Sequence, residues 1–219
     1  MIKKLLLFIK DIIIFIGFWG LAIIISIILS FYIHEYNMVN LIAYSLLLIL
    51  LFIIYYKDFL FFINDFKQNY KKYIPKYLMI GFFGILLMNV SSILISNVVG
   101  NLPENEEAVR STLGGAKIII LILNLGLVTP ICEEVIFRLN FKNLFKNKYV
   151  FSIITGLLFS SMHMFGSQNF IEILYIIPYF IMGFILSYIY YDSNNLFNSI
   201  MVHMFNNILT LLLLLEAGI

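Results

Sequence analysis

Long apolar runs separated by short polar segments make up most of the chain. Seven of these runs approach or reach the roughly 20 residues needed to cross the hydrocarbon core of a bilayer. Lipid offers no partner to an unpaired backbone amide or carbonyl, so each run is predicted to be helical. The predicted spans are residues 11–33, 38–56, 77–98, 116–137, 150–165, 170–191 and 198–215.

The segments between these runs differ in character. Residues 57–76 mix Phe and Leu with Lys and Asp, which predicts an amphipathic helix lying at the membrane surface. Residues 101–115 carry Pro103, three Glu and a Gly pair, which predicts a loop. The first run follows two lysines as a signal peptide would, but it is too long and lacks a small-residue cleavage site, so we predict that it is retained.

Composition excludes the other broad classes of protein. The chain is 62% apolar and 12% charged, whereas soluble domains are roughly 45–50% apolar and about 25% charged. A net charge of +2 with scattered lysines argues against a nucleic-acid partner, and a lone Cys against a disulfide scaffold. We therefore predict an all-α, polytopic membrane helical bundle of about seven transmembrane helices plus one interfacial amphipathic helix. It forms a single membrane domain over residues 1–219, with the lipid bilayer as its surroundings.

Basic residues indicate the orientation. Twelve of the 14 Lys and Arg residues lie on the N-terminal flank or in the segments after the second and fourth spans, which share one side of the membrane. The positive-inside rule then predicts a multi-pass cell-membrane protein with a cytoplasmic N-terminus. The richness in Ile, Lys, Asn and Tyr is typical of an AT-rich genome and favours a bacterial source.

Several polar side chains lie inside the predicted spans, where they are costly. An ionisable group deep in a membrane helix costs roughly 2.5–3.5 kcal/mol, so such groups must pair with one another or face water. We therefore expect them to converge on one site. They are Glu133, Glu134 and Arg138 in the fourth span, His163 in the fifth, and His203 and Asn207 in the seventh.

Helical spacing supports this convergence. Residues four apart lie about 40° apart around a helix, so Glu134 and Arg138 share a face, as do His203 and Asn207. Glu133 points about 100° away from Glu134, so the two carboxylates can have different roles. Each feature alone also has a structural interpretation: an i,i+4 ion pair, or a His or Asn that braces neighbouring helices.

Three motifs therefore occur in order on three helices: Glu133-Glu134-x-x-x-Arg138, Phe159-x-x-x-His163 and His203-x-x-x-Asn207. Over roughly residues 124–211 the chain resembles the CPBP family (CAAX proteases and bacteriocin-processing enzymes, also called Abi), relatives of the type II CAAX prenyl endopeptidase. The predicted core is residues 116–215. One departure is Leu139, where many members have Gly after the Arg.

The resemblance implies a membrane-embedded, metal-independent, glutamate-type protease without a cofactor. Its substrate would be a peptide or a membrane-tethered protein precursor, as in the processing of bacteriocins and peptide signals. The implied roles are general base for Glu133, partner on the attacking water for His163, oxyanion stabilisation for His203 and Asn207, and a helix-fixing pair for Glu134 and Arg138.

Other interpretations remain open at this stage. Glu133, His163 and His203 form a plausible zinc ligand set, although the chain has no H-E-x-x-H motif. Cys132 is a further candidate nucleophile, but a lone Cys with apolar neighbours is usually inert. The alternative function is a non-catalytic immunity or scaffold protein. The predicted spans also place Glu133 and His163 on the order of 10 Å apart in depth, unless a break at Pro130, tilt or a later fifth span closes the gap.

Overall fold

The computed structural model describes residues 2–100, 102–113, 117–165 and 170–216, and its regular structure there is helical throughout. The all-α prediction is therefore confirmed. The α-helices are α1 (Ile2–Ser30), α2 (Tyr36–Ile54), α3 (Tyr56–Val99), α4 (Glu104–Leu113), α5 (Ile118–Leu121), α6 (Thr129–Glu134), α7 (Lys148–His163), α8 (Ile176–Ser193) and α9 (Leu196–Glu216).

Six helical segments of the described residues are long and apolar enough to cross a membrane, against the seven predicted. They are Lys4–Ser30, Tyr36–Ile54, Tyr56–Val99, Ile118–Leu144, Ile171–Ser193 and Leu196–Glu216. The predicted fifth span forms α7, which has 16 residues. At 1.5 Å per residue it is about 24 Å long, shorter than a hydrocarbon core of about 30 Å.

Two predictions for the polar segments are wrong. Residues 57–76 do not form a separate interfacial helix, because α3 runs unbroken for 44 residues through Pro75. Contacts on both sides of the proline hold it there: Tyr73 donates to Asp65 and Tyr77 to Asp192. The predicted loop contains α4, whose first-turn amides of Glu106 and Glu107 donate to the Pro103 carbonyl; residues 101 and 114–115 lie outside the described residues.

The fourth span also differs from its prediction, since it continues to Leu144 instead of ending at residue 137. Two segments of π-helix, Ile122–Val128 and Val135–Leu139, flank α6 within it. The polar Asn140 does not end the span because the protein satisfies it. Its carboxamide accepts from the Tyr55 hydroxyl at 2.8 Å and donates to the Asp11 carbonyl at 2.8 Å.

Close helix contact positions the C-terminal core. α7 and α8 touch at Gly156 and Gly183, where a Cβ on Gly156 would lie 2.9 Å from the Phe184 backbone nitrogen. Backbone atoms cannot move aside as a side-chain end can, so this crossing requires glycine. The approach brings Ser187 and the Gly183 carbonyl of α8 to the fourth span.

Candidate active site

A buried ion pair forms the centre of the polar cluster. Arg138 Nη1 lies 3.0 Å from Glu134 Oε1, and neither side chain is accessible to solvent. The same carboxylate oxygen accepts from Nδ1 of His203, on α9, at 2.9 Å. Glu134 therefore links Arg138, one turn later in its own span, to His203 on α9.

Arg138 extends this pairing to two further helices. Its Nε donates to the Ser187 hydroxyl at 3.2 Å and its Nη2 to the Gly183 carbonyl at 3.3 Å, both on α8. Its guanidinium carbon lies 4.6 Å from the ring centroid of Phe159 on α7, a cation–π contact. The charge is thus balanced by an anion, hydrogen bonds and an aromatic face, which is what its burial requires.

The Glu134 contact also fixes the orientation of His203. A carboxylate beside a guanidinium only accepts, so His203 Nδ1 carries a proton and donates it. Its other nitrogen, Nε2, then points towards Glu133, whose Oε2 is 3.7 Å away. His203 lies between the two adjacent carboxylates and is hydrogen-bonded to only one of them.

His163 is oriented by its own helix. Nδ1 lies 2.9 Å from the Phe159 carbonyl, one turn earlier. A carbonyl only accepts, so the proton is on Nδ1, and Nε2 keeps its lone pair in the neutral ring. The ring is held between Phe159 and Tyr179, with centroid distances of 4.2 and 4.8 Å.

Glu133 and His163 both line a cavity of about 230 Å³. The depth offset between them stays a prediction. The helical turns pass through Pro130 without a break and α7 starts at Lys148, earlier than predicted. The fourth span continues to Leu144, so Glu133 lies farther from its end than predicted.

Asn207 lies apart from this cavity and is held by the backbone of the fourth span. Its Nδ2 donates to the Leu125 carbonyl at 2.9 Å. In this π-helical turn the Thr129 amide bonds to the Asn124 carbonyl, five residues earlier, and Pro130 has no amide hydrogen to give. Asn207 therefore satisfies a carbonyl that has no helical donor.

The candidate zinc set is not gathered as a ligand group. Among the residues described, no three or more His, Cys, Asp or Glu side chains are placed to hold one metal ion. Glu133, His163 and His203 thus lie near one another without forming that group, and metal independence stays a prediction. The Cys132 thiol is buried and directed at the Tyr44 carbonyl, 3.6 Å away.

Sequence reasoning missed further polar residues that line the cavity. Asn37, Asn40 and Tyr44 line it from α2, and Asn124 and Thr129 from the fourth span. The spacing of three and four residues between the first three was a usable signal, because it places them on one helix face. The three residues were not identified because they lie near the start of a span, where polar residues are common.

Comparison with known proteins finds a match between the C-terminal part of the chain and one protein family. Residues 115–209 match the Rce1-like family, described as type II CAAX prenyl endopeptidase Rce1-like. The six candidate residues all lie within this range. A relative in Lactococcus lactis subsp. lactis (strain IL1403), the UPF0177 protein YxdF, is 29% identical over 161 residues, which cover 73% of this chain and 86% of the relative. No solved structure matches the chain significantly.

Proposed function

We propose that the chain is an intramembrane endopeptidase of the glutamate type, because its residues 115–209 match the type II CAAX prenyl endopeptidase Rce1-like family. The family implies a protease in the membrane acting on a peptide or protein. Our proposal adds a mechanism and a substrate: hydrolysis, by a Glu/His-activated water, of a membrane-associated or secreted precursor such as a bacteriocin or signalling peptide.

The difference between the two adjacent glutamates is the observation that supports this mechanism. Glu134 is committed to Arg138 and His203, whereas Glu133 is 8% exposed and lines the cavity with His163. A general base needs an accessible carboxylate in reach of water, and only Glu133 of the two has that access.

Glu133 takes a proton from a water that the free Nε2 of His163 also accepts from, and the resulting hydroxide forms a bond to the scissile carbonyl carbon. The proton then passes from Glu133 to the leaving amine as the C–N bond breaks. The metal-independent form of this mechanism draws on protein groups alone.

The oxyanion roles of His203 and Asn207 stay predictions, and each role requires a hydrogen that the residue can still donate. His203 Nδ1 already donates to Glu134, so donation to an oxyanion needs a second proton on Nε2. Asn207 uses one amide hydrogen on the Leu125 carbonyl and has a second one to offer. Hydrogen bonds of this kind in a water-poor site stabilise developing negative charge strongly.

Turnover of a quenched-fluorescent nonapeptide library by the purified protein in detergent tests the proposal. Glu133→Gln is expected to lower the rate about 10²–10⁴-fold, because the amide cannot accept the proton. The control is Glu107→Gln, an exposed glutamate on α4, which should leave the rate unchanged.

Two outcomes would contradict the proposal. Full activity of the Glu133→Gln protein would remove Glu133 as the base and favour the non-catalytic scaffold, in which the cluster only braces the bundle. Loss of activity in a chelator, restored by added zinc, would replace the metal-independent mechanism with a metal-assisted one.

A further inference from the structure

We propose that Asn37, Asn40 and Tyr44 of α2 form a subsite that hydrogen-bonds the main chain of an extended peptide lying across Glu133. This inference rests on the proposed protease function for its substrate class. It concerns a part of the chain outside the matched residues 115–209. It therefore adds a recognition element to the family's catalytic region.

The three side chains face the cavity together. They are spaced three and four residues apart on α2, and all three line the same cavity as Glu133 and His163. Asn37 is buried from outside solvent, with 3% of its surface accessible. Within the described residues, neither the two carboxamides nor the Tyr44 hydroxyl has a hydrogen-bonding side-chain or backbone partner.

The fourth span supplies a matching group on the other wall. Asn124 is 2% exposed and lines the cavity with Thr129. Its Oδ1 accepts from the Thr129 hydroxyl at 3.3 Å, which orients the carboxamide. Its Nδ2 has no partner among the described residues, so both of its hydrogens remain for a bound group. Unpaired amides therefore face the same space from two helices.

A peptide bound in this cavity has a specific need that these groups meet. Cleavage requires an extended strand, and each extended residue brings one N–H and one C=O to be satisfied. Leaving such groups unpaired away from water costs several kcal/mol each. Many peptide-binding proteins answer this with a sheet edge, but the described part of this chain has no strand.

Carboxamides are the side chains that best replace a strand edge. Each offers a donor and an acceptor in the geometry of a peptide group, without a charge whose burial would be costly. Because they read the main chain, the subsite accepts many side-chain sequences. Positions of three and four residues along α2 are about 5–6 Å apart, which places successive contacts along a peptide.

Peptide binding can be measured separately from cleavage. The probe is a fluorescein-labelled nonapeptide of alternating Ala and Leu, titrated with Glu133→Gln protein in detergent and followed by fluorescence anisotropy. The same titration with the unsubstituted protein is checked for intact peptide by mass spectrometry. A second probe has three amide N–H groups replaced by ester oxygens.

We expect the Asn37→Leu/Asn40→Leu protein to bind the amide probe at least tenfold more weakly than its parent. The ester probe should bind the parent more weakly than the amide probe does, but the double variant should bind both alike. Tyr44→Phe, which removes one hydroxyl and little volume, should weaken binding by a few fold. Asn143→Leu, at an exposed position in the 3-10 turn Lys142–Leu144, is the control and should change nothing.

The result separates this inference from the proposed function. Equal binding by parent and double variant, an equal ester effect in both, or no binding by the parent overturns the subsite. Weakened binding together with no hydrolysis by the unsubstituted protein overturns the protease proposal and leaves the subsite standing. Where a peptide is cleaved, the subsite predicts a raised KM with kcat less affected.

Discussion

The first three candidate spans and the last three differ in what surrounds them. In the most apolar windows of the first three, 11%, 28% and 17% of residues are buried within the protein, whereas each of the last three has 44%. The N-terminal spans mostly face lipid, and the C-terminal spans mostly face one another. The fully buried Glu134 and Arg138 lie in the second setting, where protein groups replace the water that lipid lacks.

The largest loss of stability in the C-terminal spans is expected from Glu134→Gln. It leaves the fully buried Arg138 without its counter-ion and should destabilise the protein by about 3–5 kcal/mol. Glu133→Gln is the matched control one residue away, and it should leave stability nearly unchanged because no Arg or Lys of the described residues forms a salt bridge with Glu133. Unfolding by SDS titration, followed by circular dichroism, measures both. Equal stability of the two variants would mean that the pair does not hold the C-terminal region together.

The convergence of the polar side chains was predictable because ionisable groups inside membrane helices are costly unless they are satisfied. Six polar groups inside apolar helices had to satisfy one another, and the structure brings Glu133, Glu134, Arg138 and His203 into direct proximity, with His163 lining the same cavity as Glu133. The partner of His203 was not predictable. Spacing along one helix does not show which of two adjacent carboxylates an imidazole on a neighbouring helix will contact.

The limits of the spans were less predictable for a related reason. A hydropathy window treats Arg138 and Asn140 as the end of an apolar run, although tertiary partners hold both inside the protein. Pro75 and the surrounding charges likewise favoured a break in α3 that contacts with α8 prevent. In each case a contact distant in sequence overrides the local signal.

Alanine substitutions at glycines are expected to separate the two regions next, because they should lower stability by about 1–3 kcal/mol in the C-terminal spans only. Gly156→Ala and Gly183→Ala would force a Cβ against backbone atoms at the α7–α8 crossing, so we expect destabilisation of that size. At Gly17 and Gly20 of α1 an added Cβ meets nothing within 4 Å. Alanine there should be neutral or stabilise by roughly 0.5–1 kcal/mol through helix propensity. The same SDS titration tests all four, and a loss at Gly17 would show an unseen partner for α1.

The smallest effect is expected at the contact between the two regions near the helix ends. Asp192 of α8 pairs with Lys76 of α3 at 2.7 Å and with Lys148 of α7 at 2.9 Å. These pairs are partly exposed, so Asp192→Asn should cost about 0–1 kcal/mol. The difference between the variant and the unsubstituted protein should shrink as salt is raised, because screening weakens exposed pairs. A loss above about 2 kcal/mol, independent of salt, would indicate a buried structural role instead.

The length of α7 has a consequence for the membrane itself. Its outer face carries exposed apolar side chains, including Tyr149, Ile153 and Leu157, so lipid must contact it directly. A lipid layer matched to a helix of about 24 Å is several ångströms thinner than usual, and its headgroups approach each end of the helix. One of those ends carries His163. Hydrophobic mismatch would thus bring interfacial water to the residue that we propose holds the attacking water.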